Sequence, residues 1–254
     1  EFELTTWEQL QPLYENLKNR AVTSVDELRQ WFLDKSELES YLSENFAWRY
    51  IRMTCDTGSE QYQKEFNDFV ENFQPYLSVY GNELDKKALE SPYLGELKDS
   101  GFDITLRSMK KAIEIFREEN IPLQTQIQTE QAKYGAVVGA MTVNIDGEEV
   151  TLQKASDYLQ STDRALRELV WNKLQVRRFE SKDQLDELLN TLRDLRHQVA
   201  TNAGFANFRD YMFAALGRFD YTPQDCFNFH ESVVEAVVPM LTALSAERKE
   251  ALHL

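Results

Sequence analysis

Apolar residues recur along most of this chain every three or four positions, the spacing that puts them on one face of an α-helix. The cleanest example is the stretch 181–200, where Leu185, Leu188, Leu189, Leu192, Leu195 and Val199 form one stripe. Helix starts are legible as capping boxes, in which a hydroxyl at the N-cap is answered by Glu, Gln or Asp three positions on. Thr5-Thr6-Trp7-Glu8 predicts the first start, and Pro12 predicts that this helix is short or kinked. Ser24-Val25-Asp26-Glu27 predicts a second start. Its apolar set Leu28, Trp31, Phe32, Leu38, Leu42 and Phe46 carries the helix to about Met53, before Asp56-Thr57-Gly58. Ser59 begins a third, with Phe66, Phe69, Val70, Phe73 and Leu77 inward. A connection runs from Ser91-Pro92 to Gly101-Phe102, and helical spacing resumes over 104–119, 123–134 and 162–179. Gly204 ends the helix that starts at Ser181, and a short helix over 208–216 follows. Thr222-Pro223-Gln224-Asp225 opens the last one, with Pro at the first helical position. That helix carries Cys226, His230, Val233, Val237, Leu241 and Leu244 on one face, and Pro239 predicts a kink in it.

One stretch departs from the helical period. Residues 140–145 and 149–152 flank Asp146-Gly147, the dipeptide suited to a turn with positive φ at both central positions. An isolated hairpin is marginal in water, so this one is expected to pack on helices. The fold class that follows is mainly α, a multi-helix bundle with one small β-hairpin at about 140–152. We expect one helical domain or lobe over 1–254, with a candidate subdivision near 90–103.

Composition supports this reading. Only 9 Gly and 6 Pro occur in 254 residues, too few turn residues for a β-sandwich or barrel, while 42% apolar residues supply a core. The net charge of −15 repels nucleic acid and anionic lipid, so neither is expected as a partner. The charge is unevenly spread: Arg164 to Arg218 holds 10 Lys and Arg against 7 Asp and Glu, leaving 18 against 36 elsewhere. No apolar run approaches the ~20 residues that cross a bilayer, and no signal peptide opens the chain. Position 1 is Glu, so the natural start is expected upstream or trimmed; the apolar ending Leu252-His253-Leu254, without a cap, points to truncation. Cys55 and Cys226 are expected as reduced thiols in a cytoplasmic protein.

Candidate chemistry is sparse. There are 3 histidines, His197, His230 and His253. His230-Glu231 resembles the start of an H-E-x-x-H zinc helix, but that motif needs a second imidazole four positions on, and position 234 is Val234. His230 is therefore expected to be a core histidine. Glu250-Ala251-Leu252-His253 is the one Glu-x-x-His pair, too few for a di-iron bundle. No phosphate-binding glycine loop or nucleophile elbow is present. The aromatics of Asn45-Phe46-Ala47-Trp48-Arg49-Tyr50 read as core and rim of a long helix. No residue of this chain is assigned a catalytic or metal-binding role.

Several segments are more specific than periodicity. Asn45 to Thr57, reading NFAWRYIRMTCDT, resembles an early helix of oligoendopeptidase-F-like and thimet-oligopeptidase-type zinc metallopeptidases. Thr162-Asp163-Arg164-Ala165-Leu166-Arg167-Glu168 resembles that family's Asp-Arg-x-x-Arg segment. Leu195 to Tyr211 is similar to the family's segment where an arginine helix ends at Ala-Gly-Phe and restarts at Tyr, and Leu216 to Thr222 continues it in order. The resemblance runs from about Trp7 to Leu254. It implies the N-terminal portion of a cytoplasmic zinc peptidase that cleaves short peptides in a helical channel, of which these helices form one wall. The H-E-x-x-H helix and the glutamate ligand lie downstream in that family, so the resemblance places no zinc ligand here. It implies short peptides and a missing C-terminal catalytic half as partners, and a piece inactive alone. A free-standing acidic helical binding or scaffold module is the alternative, and an independent enzyme with an unrecognised site is the weakest. Arg164, Arg167 and Arg196 are expected to lack acidic partners within this chain and to be covered in the full enzyme.

Overall fold

The structure, a computed structural model, describes residues 4–97 and 102–252. Gly101, His253 and Leu254 lie outside the described residues. In chain order the helices are α1 (Gln11–Asn19), α2 (Val25–Cys55), α3 (Glu60–Asn72), α4 (Gln74–Leu89), α5 (Phe102–Ile115) and α6 (Asn120–Gly139). Strands β1 (Thr142–Ile145) and β2 (Glu148–Thr151) follow, then α7 (Leu152–Asp157), α8 (Arg164–Glu180), α9 (Lys182–Asn202), α10 (Phe208–Ala215) and α11 (Pro223–Ala251). The described fold is mainly α with one small hairpin. Two compact units divide it, one formed by 1–141 and 180–211 and the other by 142–179 and 212–254.

In the first unit the caps fall close to where the residues predict them. Ser24 accepts the Glu27 amide at 3.2 Å, and the Glu27 carboxylate accepts the Thr23 amide at 2.6 Å. The first start differs. The capping box joins Thr6 and Gln9 and closes only a single 3-10 turn, Trp7–Gln9; α1 then begins with Pro12 in its first turn, where the missing N–H costs nothing. The third predicted helix also divides. It breaks at Phe73 because Pro75 cannot continue the i to i−4 ladder, and α4 begins there.

The core of this unit packs Trp7, Leu10, Tyr14 and Leu17 onto Leu28, Trp31 and Phe32 of α2, with Phe69, Phe73, Leu84 and Met109 closing it. Trp7 stacks on Tyr76 at 4.8 Å. Lys35 is buried on α2 and reaches Glu39 at 2.6 Å and Asp85 of α4 at 3.4 Å. Burial pushes the Asp85 carboxyl above the ordinary carboxylate range, although Lys35 beside it pulls the other way. The folded chain therefore holds this proton more tightly than the unfolded chain. The resulting stabilisation is complete below the unfolded pKa and is lost as pH rises through the raised folded value. Asp85→Asn is expected to gain stability relative to the parent chain from about pH 4 upward, read as the urea midpoint at each pH. A constant difference across that range would contradict the assignment.

In the second unit β1 pairs antiparallel with β2, with Val143 opposite Val150. Asp146 and Gly147 have φ of 51° and 88°, the two positive values the turn requires. Val143, Ile145 and Val150 pack with Ala155 of α7 and Val170 and Leu174 of α8, so the hairpin does rest on helices. Lys173 of α8 donates to the Asn144 carbonyl at 2.7 Å. Thr222 and Asp225 form the capping box of α11, and Pro239 sits inside that helix without breaking it.

Candidate functional site

The α2 segment Asn45–Arg52 is one side of a groove of about 700 Å³ in the first unit. Helical spacing sends its residues in different directions. Phe46 turns inward, with ring centroids 5.6 Å from Phe66 and 5.4 Å from Phe69. Arg49 is fixed: it donates to the Asn45 side chain at 2.8 Å and to the carbonyls of Glu65 and Leu4 at 3.0 Å each. Its guanidinium also lies 5.6 Å from the centre of the Phe69 ring. Arg49 therefore ties the start of the chain and α3 to α2. Trp48 is half exposed and Arg52 is exposed on the groove wall, with Glu44, Glu65 and Asp68 nearby. An aromatic face, a cation and several carboxylates suit binding of a polar chain. The groove lining holds no histidine or cysteine, so it offers neither a thiol nucleophile nor an imidazole base. The aromatics read as core and rim divide accordingly, with Phe46 in the core and Trp48 and Tyr50 exposed.

Of the histidines, His197 is exposed on α9. His230 is exposed on α11 and is not a core histidine. The stripe that carries it is apolar as predicted, but α11 has no buried residue, so the periodicity located a face without a cover. Cys55 is exposed, Cys226 half-buried, and both are free. Among the described residues no group of three or more His, Cys, Asp or Glu side chains could hold a metal ion. The donors of a tetrahedral zinc site are not assembled there, and we assign no chemical step to a metal held by these residues.

The segment from Leu195 to Tyr211 has a clear physical basis. Gly204 has φ of 86°, and the Phe205 amide reaches back to the Ala200 carbonyl at 2.9 Å while the Gly204 amide reaches Thr201 at 2.9 Å. This is a Schellman ending, which needs glycine at that position. Phe205 and Phe208 then pack on Tyr211 at 5.7 and 5.9 Å. Asn120, buried at the start of α6, donates to the Val199 carbonyl at 3.0 Å and accepts from Asn202 at 2.8 Å. Arg117 donates to the Asn202 carbonyl at 3.1 Å. Nothing in the local sequence marks Asn120, because its partners lie some eighty residues on.

None of the three singled-out arginines has an acidic partner among the described residues. Arg164 is exposed; Arg167 donates to the Ser161 carbonyl at 2.6 Å; Arg196 lies 5.8 Å from the centre of the Phe208 ring. A signal the helical reading missed is that α8 is apolar on two sides. Val170 and Leu174 face the core, while Leu169, Val176 and Phe179 recur at helical spacing on an exposed side.

Comparison with known proteins places these features. The model described as the Peptidase M3 N-terminal domain matches residues 1–116, and the model described as Peptidase family M3 matches residues 157–253. No curated protein matches the chain. Among solved structures it is similar to a putative oligoendopeptidase F from Bacillus anthracis str. Ames, with 22% identity and a TM-score of 0.90, covering 98% of this chain and 46% of that one. It is similar to PZ peptidase A solved with an inhibitor, at 22% identity and a TM-score of 0.90, covering 98% of this chain and 45% of that one. A further putative oligoendopeptidase F matches at 23% identity and a TM-score of 0.91, covering 98% and 44%. These likenesses establish the fold. The chain spans less than half the length of each of these structures.

Proposed function

Because the chain belongs to peptidase family M3 and matches its N-terminal domain, we propose that it is the N-terminal helical portion of a zinc metalloendopeptidase that hydrolyses short peptides. In this reading it forms one wall of the substrate channel and is inactive alone, because the zinc ligands lie in the remaining part. The observation that carries the reading is the ordered pair of family matches in a chain that spans 44–46% of the structures it resembles. The role of these helices is then steric and electrostatic: a rigid wall excludes folded proteins, and the Trp48–Arg52 side of the groove offers contacts to a flexible peptide. The two free cysteines support placing the protein in the cytoplasm, where thiols stay reduced.

Metal analysis tests the zinc assignment. The natural polypeptide that contains these residues, purified without added metal, is expected to hold stoichiometric zinc, and the 254-residue chain only trace amounts. Stoichiometric zinc in the 254-residue chain would overturn it.

A further inference from the structure

Most amphipathic helices of this chain bury their apolar side against the chain itself, but two do not. On α8, Leu169, Val176 and Phe179 fall on one stripe and are 46%, 61% and 73% exposed, although the other side of the same helix is packed by Val170 and Leu174. The 29-residue helix α11 has no buried residue, and Leu241 and Leu244 on its stripe are each 53% exposed. Helical stability in proteins comes mostly from packing such faces, and contiguous exposed apolar surface marks an interaction site.

We propose that the outer side of α8 and the apolar stripe of α11 are the surfaces against which the remaining, C-terminal part of the peptidase packs. This rests on the function proposed above and names the surface through which it operates. The occupant is argued from continuity and length. The match to the Peptidase family M3 model runs over both helices, from 157 to 253, and the similar structures are more than twice as long as the stretch this chain covers. A lipid surface fits poorly. The polar positions of α11 include Asp225, Glu231, Glu235, Glu247 and Glu250, an acidic rather than basic polar face, and the whole chain carries −15.

Photo-activated carbene labelling with mass spectrometry, applied to the 254-residue chain and to the natural polypeptide that contains it, tests this. Leu169, Val176, Phe179, Leu241 and Leu244 are expected to label strongly in the former and several-fold less in the latter, with Trp31 and Phe69 protected in both. Equal labelling of the five in the two proteins, or a natural polypeptide that ends with these residues, overturns the proposal. The double variant Leu241→Glu/Leu244→Glu supplies a second reading. It is expected to leave the thermal midpoint of the 254-residue chain unchanged and to lower that of the natural polypeptide, and equal shifts in both overturn the proposal. Hydrolysis of a quenched peptide by the natural polypeptide is read in parallel. Protection without hydrolysis supports the packing surface and refutes the peptidase reading.

Discussion

Replacing Trp31 with alanine is expected to lower the stability of the 254-residue chain by about 3–5 kcal/mol. The indole is fully buried among α1, α2 and α4 and donates from Nε1 to the Leu17 carbonyl at 2.9 Å. Phe32 meets it edge-on at 5.3 Å, and the Lys87 ammonium lies 6.0 Å from its centre. Lys87 also donates to the carbonyls of Leu17, Lys18 and Arg20, at 2.9, 2.7 and 2.6 Å, so the end of α1 keeps a donor when the indole is removed. The loss is therefore dominated by the transfer and cavity costs of the ring rather than by an orphaned carbonyl. Small domains are stable by about 5–15 kcal/mol, so the variant is expected near the edge of folding. Urea denaturation followed by circular dichroism measures this. A loss below about 1 kcal/mol would show that the site collapses around the gap and that Trp31 is not the centre of this core.

The second large effect is expected at Asn120. Changing it to alanine removes the donor to the Val199 carbonyl and the acceptor for the Asn202 amide in a buried setting. Leaving both groups unpaired is expected to cost about 2–4 kcal/mol. Asn120→Asp keeps an acceptor for Asn202 but cannot donate to Val199, so it should fall between the parent chain and the alanine variant. The same denaturation experiment orders the three proteins. An alanine variant as stable as the parent chain would mean that water replaces both bonds and that Asn120 does not secure the end of α9.

Much of the fold could be read before any coordinates. Caps did most of this, because a hydroxyl and a carboxylate three positions apart satisfy helix-end amides locally: Ser24 with Glu27 and Thr222 with Asp225 behave as their spacing predicts. Asp146-Gly147 is equally local, since positive φ at both positions dictates the turn. Breaks were harder. Pro75 divides a helix that apolar spacing alone joins from Phe66 to Leu77. Leu189 belongs to the α9 stripe by sequence yet is 62% exposed, because the buried line runs through Leu188, Leu192 and Val199.

The candidate site was much less legible. Apolar spacing reports which side of a helix avoids water, not what covers it, so the α11 stripe was correctly drawn while His230 was wrongly placed in a core. The groove beside Trp48 and Arg52 exists only because α2, α3 and the start of the chain meet, with Arg49 joining them over 16 and 45 residues of sequence. No local pattern encodes such a meeting. The ordered segments around Asn45, Asp163 and Ala203 carried the family resemblance, and the matches over residues 1–116 and 157–253 agree with it.

The central claim is that this chain is the wall of a peptidase whose chemistry lies in the part it packs against. Hydrolysis of a quenched short peptide tests it most directly, measured for the 254-residue chain and for the natural polypeptide that contains it, with and without a zinc chelator. The natural polypeptide is expected to cleave the peptide and to lose that activity to the chelator, while the 254-residue chain stays at the buffer background. Chelator-sensitive turnover by the purified 254-residue chain would contradict the account.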